Sequence, residues 1–231
     1  MYCGRQGATQ REHVFPASWY PDTTPADFER MTVPSCGPCN RRWARAEEAL
    51  LFNLALAISP DEPEAAGVSD RLLRSVNVSK ASDPRDAAHR AARGQKLLRT
   101  MHWLPARPGQ PEAVLRGPNG VIAKGTPVRQ IEGRLWLEIA QKFIRGLYYA
   151  ETGRVLPPDL EIGVSAGNRH LSHGADIPVD RRVAPGFRYG RLHTTAKSGW
   201  RFVLWDQVVL FAVTIPSCAP ESEKLLSTTG K

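Results

Sequence analysis

Apolar and polar positions alternate over short stretches at the start of the chain and then switch to a helical rhythm. Residues 9–14 have strand character and stop at Pro16, and residues 21–26, with two Pro and two Thr, carry turn chemistry. Residues 30–33 form a second short strand that runs into the turn Pro34-Ser35-Cys36-Gly37-Pro38-Cys39. Asn40 is then placed to cap a helix whose apolar positions continue to Ile58. The predicted order is strand, strand, helix. Residues 70–100 are helix-compatible but weakly amphipathic, with Pro84 dividing them. A hairpin is predicted from residues 113–115 and 121–123 around Gly117-Pro118-Asn119-Gly120. The most regular helix spans residues 128–150, with Ile131, Leu135, Ile139, Leu147 and Tyr148 near one face and Gly153 as its stop. Strands are predicted over residues 160–164, 187–193, 200–205 and 208–213.

These elements predict an α+β chain in three parts: a small strand-strand-helix unit over residues 1–60, a helical connector over 61–104, and an α+β unit over 105–231 in which the long helix docks on a sheet. The tryptophans, Trp19, Trp43, Trp103 and Trp136 among them, are expected as core anchors rather than base-stacking platforms. No apolar run reaches the roughly 18 residues that crossing a bilayer demands, and no basic-then-apolar leader opens the chain. A cytoplasmic protein with no membrane partner is expected.

Charge changes the picture. A formal net charge of +8 favours polyanionic partners, and its distribution is uneven. Residues 1–60 hold six basic and six acidic side chains, whereas residues 71–107 hold nine basic against two acidic. Arg71, Arg74, Arg90, Arg93, Lys96 and Arg99 of the connector, with Arg11, Arg41 and Arg42 of the first unit, are the candidate nucleic-acid contacts. A solvated helix face is the competing explanation for the basic run.

Chemistry-bearing residues gather in the first unit: Cys3, the pair Glu12-His13, and Cys36-x-x-Cys39 followed at once by Asn40. Four cysteines are too few for a disulfide scaffold in a chain of 231 residues, and the Cys-x-x-Cys pair points to metal or redox chemistry. His170-x-x-His173 has a metal-compatible spacing but sits in a Gly-rich segment without an acidic or thiol partner, which favours a plain loop.

Over about 50 residues the segments Cys3-Gly4, Arg11-Glu12-His13-Val14-Phe15-Pro16, Thr32-Val33-Pro34-Ser35-Cys36-Gly37-Pro38-Cys39-Asn40 and Glu47-Glu48 resemble the HNH, or His-Me finger, endonucleases, in particular small bacterial proteins of that family. Residues 144–149, with Gly153 and Leu156-Pro157, are similar to the carboxyl-terminal part of such proteins. The resemblance implies a ββα-metal finger at the amino terminus and metal-dependent hydrolysis of DNA phosphodiester bonds. His13 would be the general base, since imidazole titrates near neutrality. Glu12 and Asn40 would hold Mg²⁺ or Mn²⁺ through hard oxygens. Neighbouring side chains on a regular strand point to opposite faces, so Glu12 and His13 serve one phosphate only where the strand bends, and Pro16 predicts such a bend.

By the same resemblance Cys3, Cys36 and Cys39 would bind a structural Zn²⁺ that supplies folding energy to a unit too small to bury a large core. The family's first knuckle opens with a further Cys, which would fall one position before Met1; a start placed too late or loss of the ligand accounts for it equally well. Cys218 is a weaker candidate for that fourth thiolate. The family's middle Asn, which fixes the His-bearing loop, has no counterpart in Asp27-Phe28-Glu29-Arg30-Met31. The alternatives are a zinc-stabilised nucleic-acid-binding protein that no longer cuts, or a ribonuclease, since the same base and metal serve either polymer.

Overall fold

The computed structural model describes residues 10–55, 58–99, 102–104, 114–117, 120–124, 128–157, 160–168, 174–193 and 197–215; of the strands between 102 and 130 only the backbone pairing is described. Strand β1 (Gln10–His13) pairs antiparallel with β2 (Thr32–Ser35), in the register Gln10↔Ser35, Arg11↔Pro34, Glu12↔Val33 and His13↔Thr32. The second strand lies two residues later than the sequence pattern predicts. Pro34 does not end it, because a two-stranded ribbon leaves β2 one free edge where a missing N–H costs nothing. Helix α1 (Gly37–Leu54) begins earlier than expected. Its N-cap is Cys36, with Pro in the first two helical positions, so Asn40 sits inside the first turn and does not cap it.

Helices α2 (Val68–Val76) and α3 (Pro84–Leu98) form the connector. Pro84 opens α3 rather than merely interrupting a longer helix: Asp83 caps it, accepting from the Asp86 N–H at 2.8 Å. Strand β3 (His102–Leu104) pairs with β6 (Val128–Gln130), and β4 (Val114–Gly117) with β5 (Gly120–Lys124), the predicted hairpin. The long helix α4 (Gly133–Thr152) therefore starts five residues later than its pattern predicts, residues 128–130 being taken by β6. Gly153, at φ 69°, closes it in the left-handed conformation.

Five strands make the principal sheet: β7 (Glu161–Asn168), β8 (Arg181–Ala184), β9 (Phe187–His193), β10 (Ser198–Leu204) and β11 (Val208–Ile215), in the spatial order β7-β11-β10-β9-β8 and antiparallel throughout. The protein is thus mixed α+β. Helix α4 packs on this sheet through β7 and β11 and, on its other side, against α1 and β2. Its centre is buried all round, from Ile139 through Leu147 with Gln141 alone half-buried, which is the signature of a helix between two layers.

One apolar core runs through all three stretches of the chain. Phe15, just beyond β1, packs tilted against Phe143 of α4 at 4.7 Å and stacks on Phe187 of β9 at 4.9 Å. Trp19 lies 5.4 Å from Trp205, whose indole N–H donates to the Trp19 carbonyl at 2.9 Å. Trp19, Trp43, Trp136, Trp200 and Trp205 are all buried, as core anchors should be. This aromatic seam fixes the end of β1 against the sheet, and so fixes where Glu12 and His13 sit.

Candidate functional site

Alternation along β1 sorts its side chains. Glu12, with Val33 and Ser35 beside it on β2, is buried beneath α1 and α4. Gln10 shares that side: its Oε1 accepts from the Asn40 amide at 2.8 Å, which brings the first turn of α1 over the ribbon. Arg11 and His13 belong to the opposite side, where the Arg11 Nε donates to the Thr32 hydroxyl at 2.8 Å. Glu12 and Asn40 are therefore on one face of the ribbon. His13 is the last residue of β1, followed by a bend at Val14 and Phe15 before Pro16.

His13 is half-buried, and its Nδ1 is shielded from solvent without a hydrogen-bond partner among the described residues. Burial lowers its pKa below the ordinary imidazole value; the Arg30 and Lys142 charges push the same way and Glu12 opposes them. Arg30 lies over the Tyr20 ring at 5.1 Å. The ring is thus held as the free base at neutral pH, the form that accepts a proton.

Glu12 has a partner that the sequence did not announce. Lys142 of α4, wholly buried, donates through Nζ to Glu12 Oε1 at 2.5 Å and also to Glu47 of α1. Burial pushes the Glu47 carboxyl up from the usual carboxylate range, Lys142 working against that rise and Glu12 adding to it. The signal for Lys142 is present in the sequence, since it lies three residues after Ile139 and immediately before Phe143, inside the apolar arc of the most regular helix. Glu47 belongs to the motif matched above, although no role was assigned to it.

Whether these residues suit a divalent ion is decided by the oxygens left over. Glu12 Oε2 and Asn40 Oδ1 carry no hydrogen bond among the described residues, and both are hard donors on one side of the ribbon. The donor set fits Mg²⁺ or Mn²⁺, with Lys142 as a competing positive charge. No three His, Cys, Asp or Glu side chains gather into a ready metal shell among the described residues, so substrate oxygens and water would complete it. Cys36 and Cys39, both half-buried at the start of α1, would supply half of a tetrahedral zinc shell. Cys3 and Cys218 lie outside the described residues, as do His170 and His173.

Much of the predicted basic surface is engaged. Arg71 pairs with Asp22 at 2.6 Å and Arg93 with Glu48 at 2.5 Å, ties that fasten α2 and α3 to their surroundings, while Arg90 pairs with Asp86 at 2.9 Å within α3 itself. Arg74, Lys96 and Arg99 are exposed and without an ion pair among the described residues. Arg41 and Arg42 are exposed on α1, with Arg42 over the Trp43 ring and 3.7 Å from Glu138. No helix among the described residues is long and apolar enough to cross a membrane. No protein-family profile, curated protein or solved structure matches the chain.

Proposed function

We propose that the chain is a metal-assisted endonuclease that hydrolyses phosphodiester bonds of DNA, with β1, β2 and α1 as its His-Me finger. The observation that carries this reading is the pair Glu12-His13 closing β1 just before the bend at Val14 and Phe15, with Asn40 in the first turn of the helix packed over that ribbon. His13, half-buried and neutral, takes a proton from a water molecule. The oxygen so freed bonds to phosphorus in line with the sugar oxygen that departs. Glu12 Oε2 and Asn40 Oδ1 would hold Mg²⁺ or Mn²⁺, which when bound supplies positive charge to the phosphate and leaving oxygen. Arg41 and Arg42, on the exposed side of α1, meet backbone phosphates next to the finger. Cys36 and Cys39, with Cys3, would bind a structural zinc.

Because Glu12 and His13 leave the ribbon on opposite sides, the scissile phosphate is approached at the end of β1, where the chain turns away. The direct test is nicking of supercoiled plasmid by purified protein with Mg²⁺ or Mn²⁺. Nicking is expected from the wild type and lost in His13→Ala; equal cutting by both removes His13 as the base. A second reading, a nucleic-acid-binding protein that does not cut, is favoured by one observation, the ammonium of Lys142 on Glu12. It predicts salt-dependent DNA binding and no metal-dependent nicking between about pH 6 and 9. Parallel digestion of RNA separates the ribonuclease alternative.

A further inference from the structure

Lys142 is the one wholly buried charged side chain among the described residues, and it reaches from α4 to two carboxylates on two other elements, Glu12 of β1 and Glu47 of α1. Stability alone does not call for it, since well-packed apolar side chains of similar volume are commonly at least as stabilising as a buried ion cluster. The cluster is also placed selectively. Its ammonium engages Oε1 of Glu12 and leaves Oε2 without a hydrogen bond among the described residues.

We propose that Lys142 is a positioning residue for the divalent-ion site, holding Glu12 by one carboxylate oxygen and setting by its own positive charge how tightly the other oxygen takes an ion. This rests on the reading of Glu12 as an ion ligand. A carboxylate shared between an ammonium and a divalent ion puts like charges close together in a site screened by little water, so the ammonium weakens the ion's hold. Glu47 moderates the effect, because it draws the same ammonium toward α1. The affinity of Glu12 is thus set by a residue of the sheet-packed helix 130 positions away.

Mn²⁺ binding to the full chain without nucleic acid, followed by the loss of the free-ion electron paramagnetic resonance signal, tests this. Lys142→Met is expected to bind Mn²⁺ tighter by about tenfold or more, and Glu47→Gln, which leaves the ammonium to Glu12 alone, to bind it more weakly. The double variant Lys142→Met with Glu47→Gln removes one charge of each sign; it is expected to bind more tightly than wild type and serves if the single lysine variant does not fold. Affinity unchanged or weakened in both lysine variants, with binding still lost in Glu12→Gln, overturns the role of Lys142 and leaves Glu12 a ligand. Binding by Glu12→Gln equal to that of wild type overturns the ligand reading, and the proposal with it.

Discussion

Replacing Lys142 by Met removes the cation that joins Glu12 and Glu47 and leaves two carboxylates facing each other, Glu12 being 7% exposed. Breaking a buried ion cluster on one side costs about 3–5 kcal/mol, because the remaining charge keeps its desolvation penalty and loses its counter-charge. For a chain of this size that is a fall in Tm of roughly 6–20 °C. The sign with pH follows from proton affinity. Burial already raises the Glu47 pKa in the wild type, and without Lys142, which opposes that rise, the Glu47 carboxyl binds its proton still more readily in the folded state than unfolded. The folded state then holds the extra protons, so the deficit is greatest at neutral pH and shrinks as pH falls toward the unfolded carboxyl value of about 4.3. Urea unfolding followed by fluorescence of the buried tryptophans measures it. A triple variant, Lys142→Met with Glu12→Gln and Glu47→Gln, is expected to recover most of the loss, since no unpaired charge remains. A deficit below about 1 kcal/mol, or a Lys142–Glu12 coupling below about 0.5 kcal/mol in a double-mutant cycle, refutes the reasoning.

Arg30→Gln removes a charge that helps hold His13 neutral, so the acid limb of plasmid nicking, expected below the ordinary imidazole value of about 6.5, moves to higher pH while the rate near pH 8 is unchanged; a limb that stays in place shows that another group titrates. The same shift bears on stability: the unfolded chain binds the His13 proton more tightly, so the contribution of neutral His13 is present above about pH 6.5 and lost as pH falls through its folded value. Trp205→Ala deletes a wholly buried indole and its bond to the Trp19 carbonyl, and is expected to cost about 3–5 kcal/mol by urea unfolding, with a loss under 1 kcal/mol arguing against the aromatic seam as the joint between β1 and the sheet.

What the sequence made legible were elements with a local signature. The hairpin of β4 and β5, the stop at Gly153 and the strands β7, β9, β10 and β11 each carry alternation or turn chemistry of their own. Strand β8 was missed because Arg181-Arg182-Val183-Ala184 has no alternation; its one cue was Pro185-Gly186, where Gly186 takes φ 80° and an added Cβ would lie 2.7 Å from the Glu64 carbonyl oxygen. The hairpin joining β10 to β11 was equally unmarked. Trp205 and Asp206 both adopt positive φ in its three-residue loop, a conformation normally given to Asn and Gly, and the cost is offset by what Trp205 gains in the core. Residues 128–130 went to a strand for a similar reason: pairing with β3 is a distant contact that no local periodicity records.

The candidate site shows the same division in sharper form. Glu12, His13 and Asn40 are close in sequence to the turn and strand that hold them, and their grouping is visible without coordinates. The partner of the Glu12 carboxylate lies on a helix whose pattern announces burial and says nothing of a destination. A lysine amid Ile139, Phe143 and Ile144 must either reach water along its own stem or find a carboxylate inside, and its burial in full leaves only the second course. Two carboxylates of the first 60 residues meet that need, and one of them is the residue the motif assigns to the ion. The sheet-packed helix is for that reason electrostatically part of the strand-strand-helix unit: any change that withdraws α4 from α1 also strips Glu12 of its counter-charge, so the integrity of the fold and the charge of the site are set by the same contact.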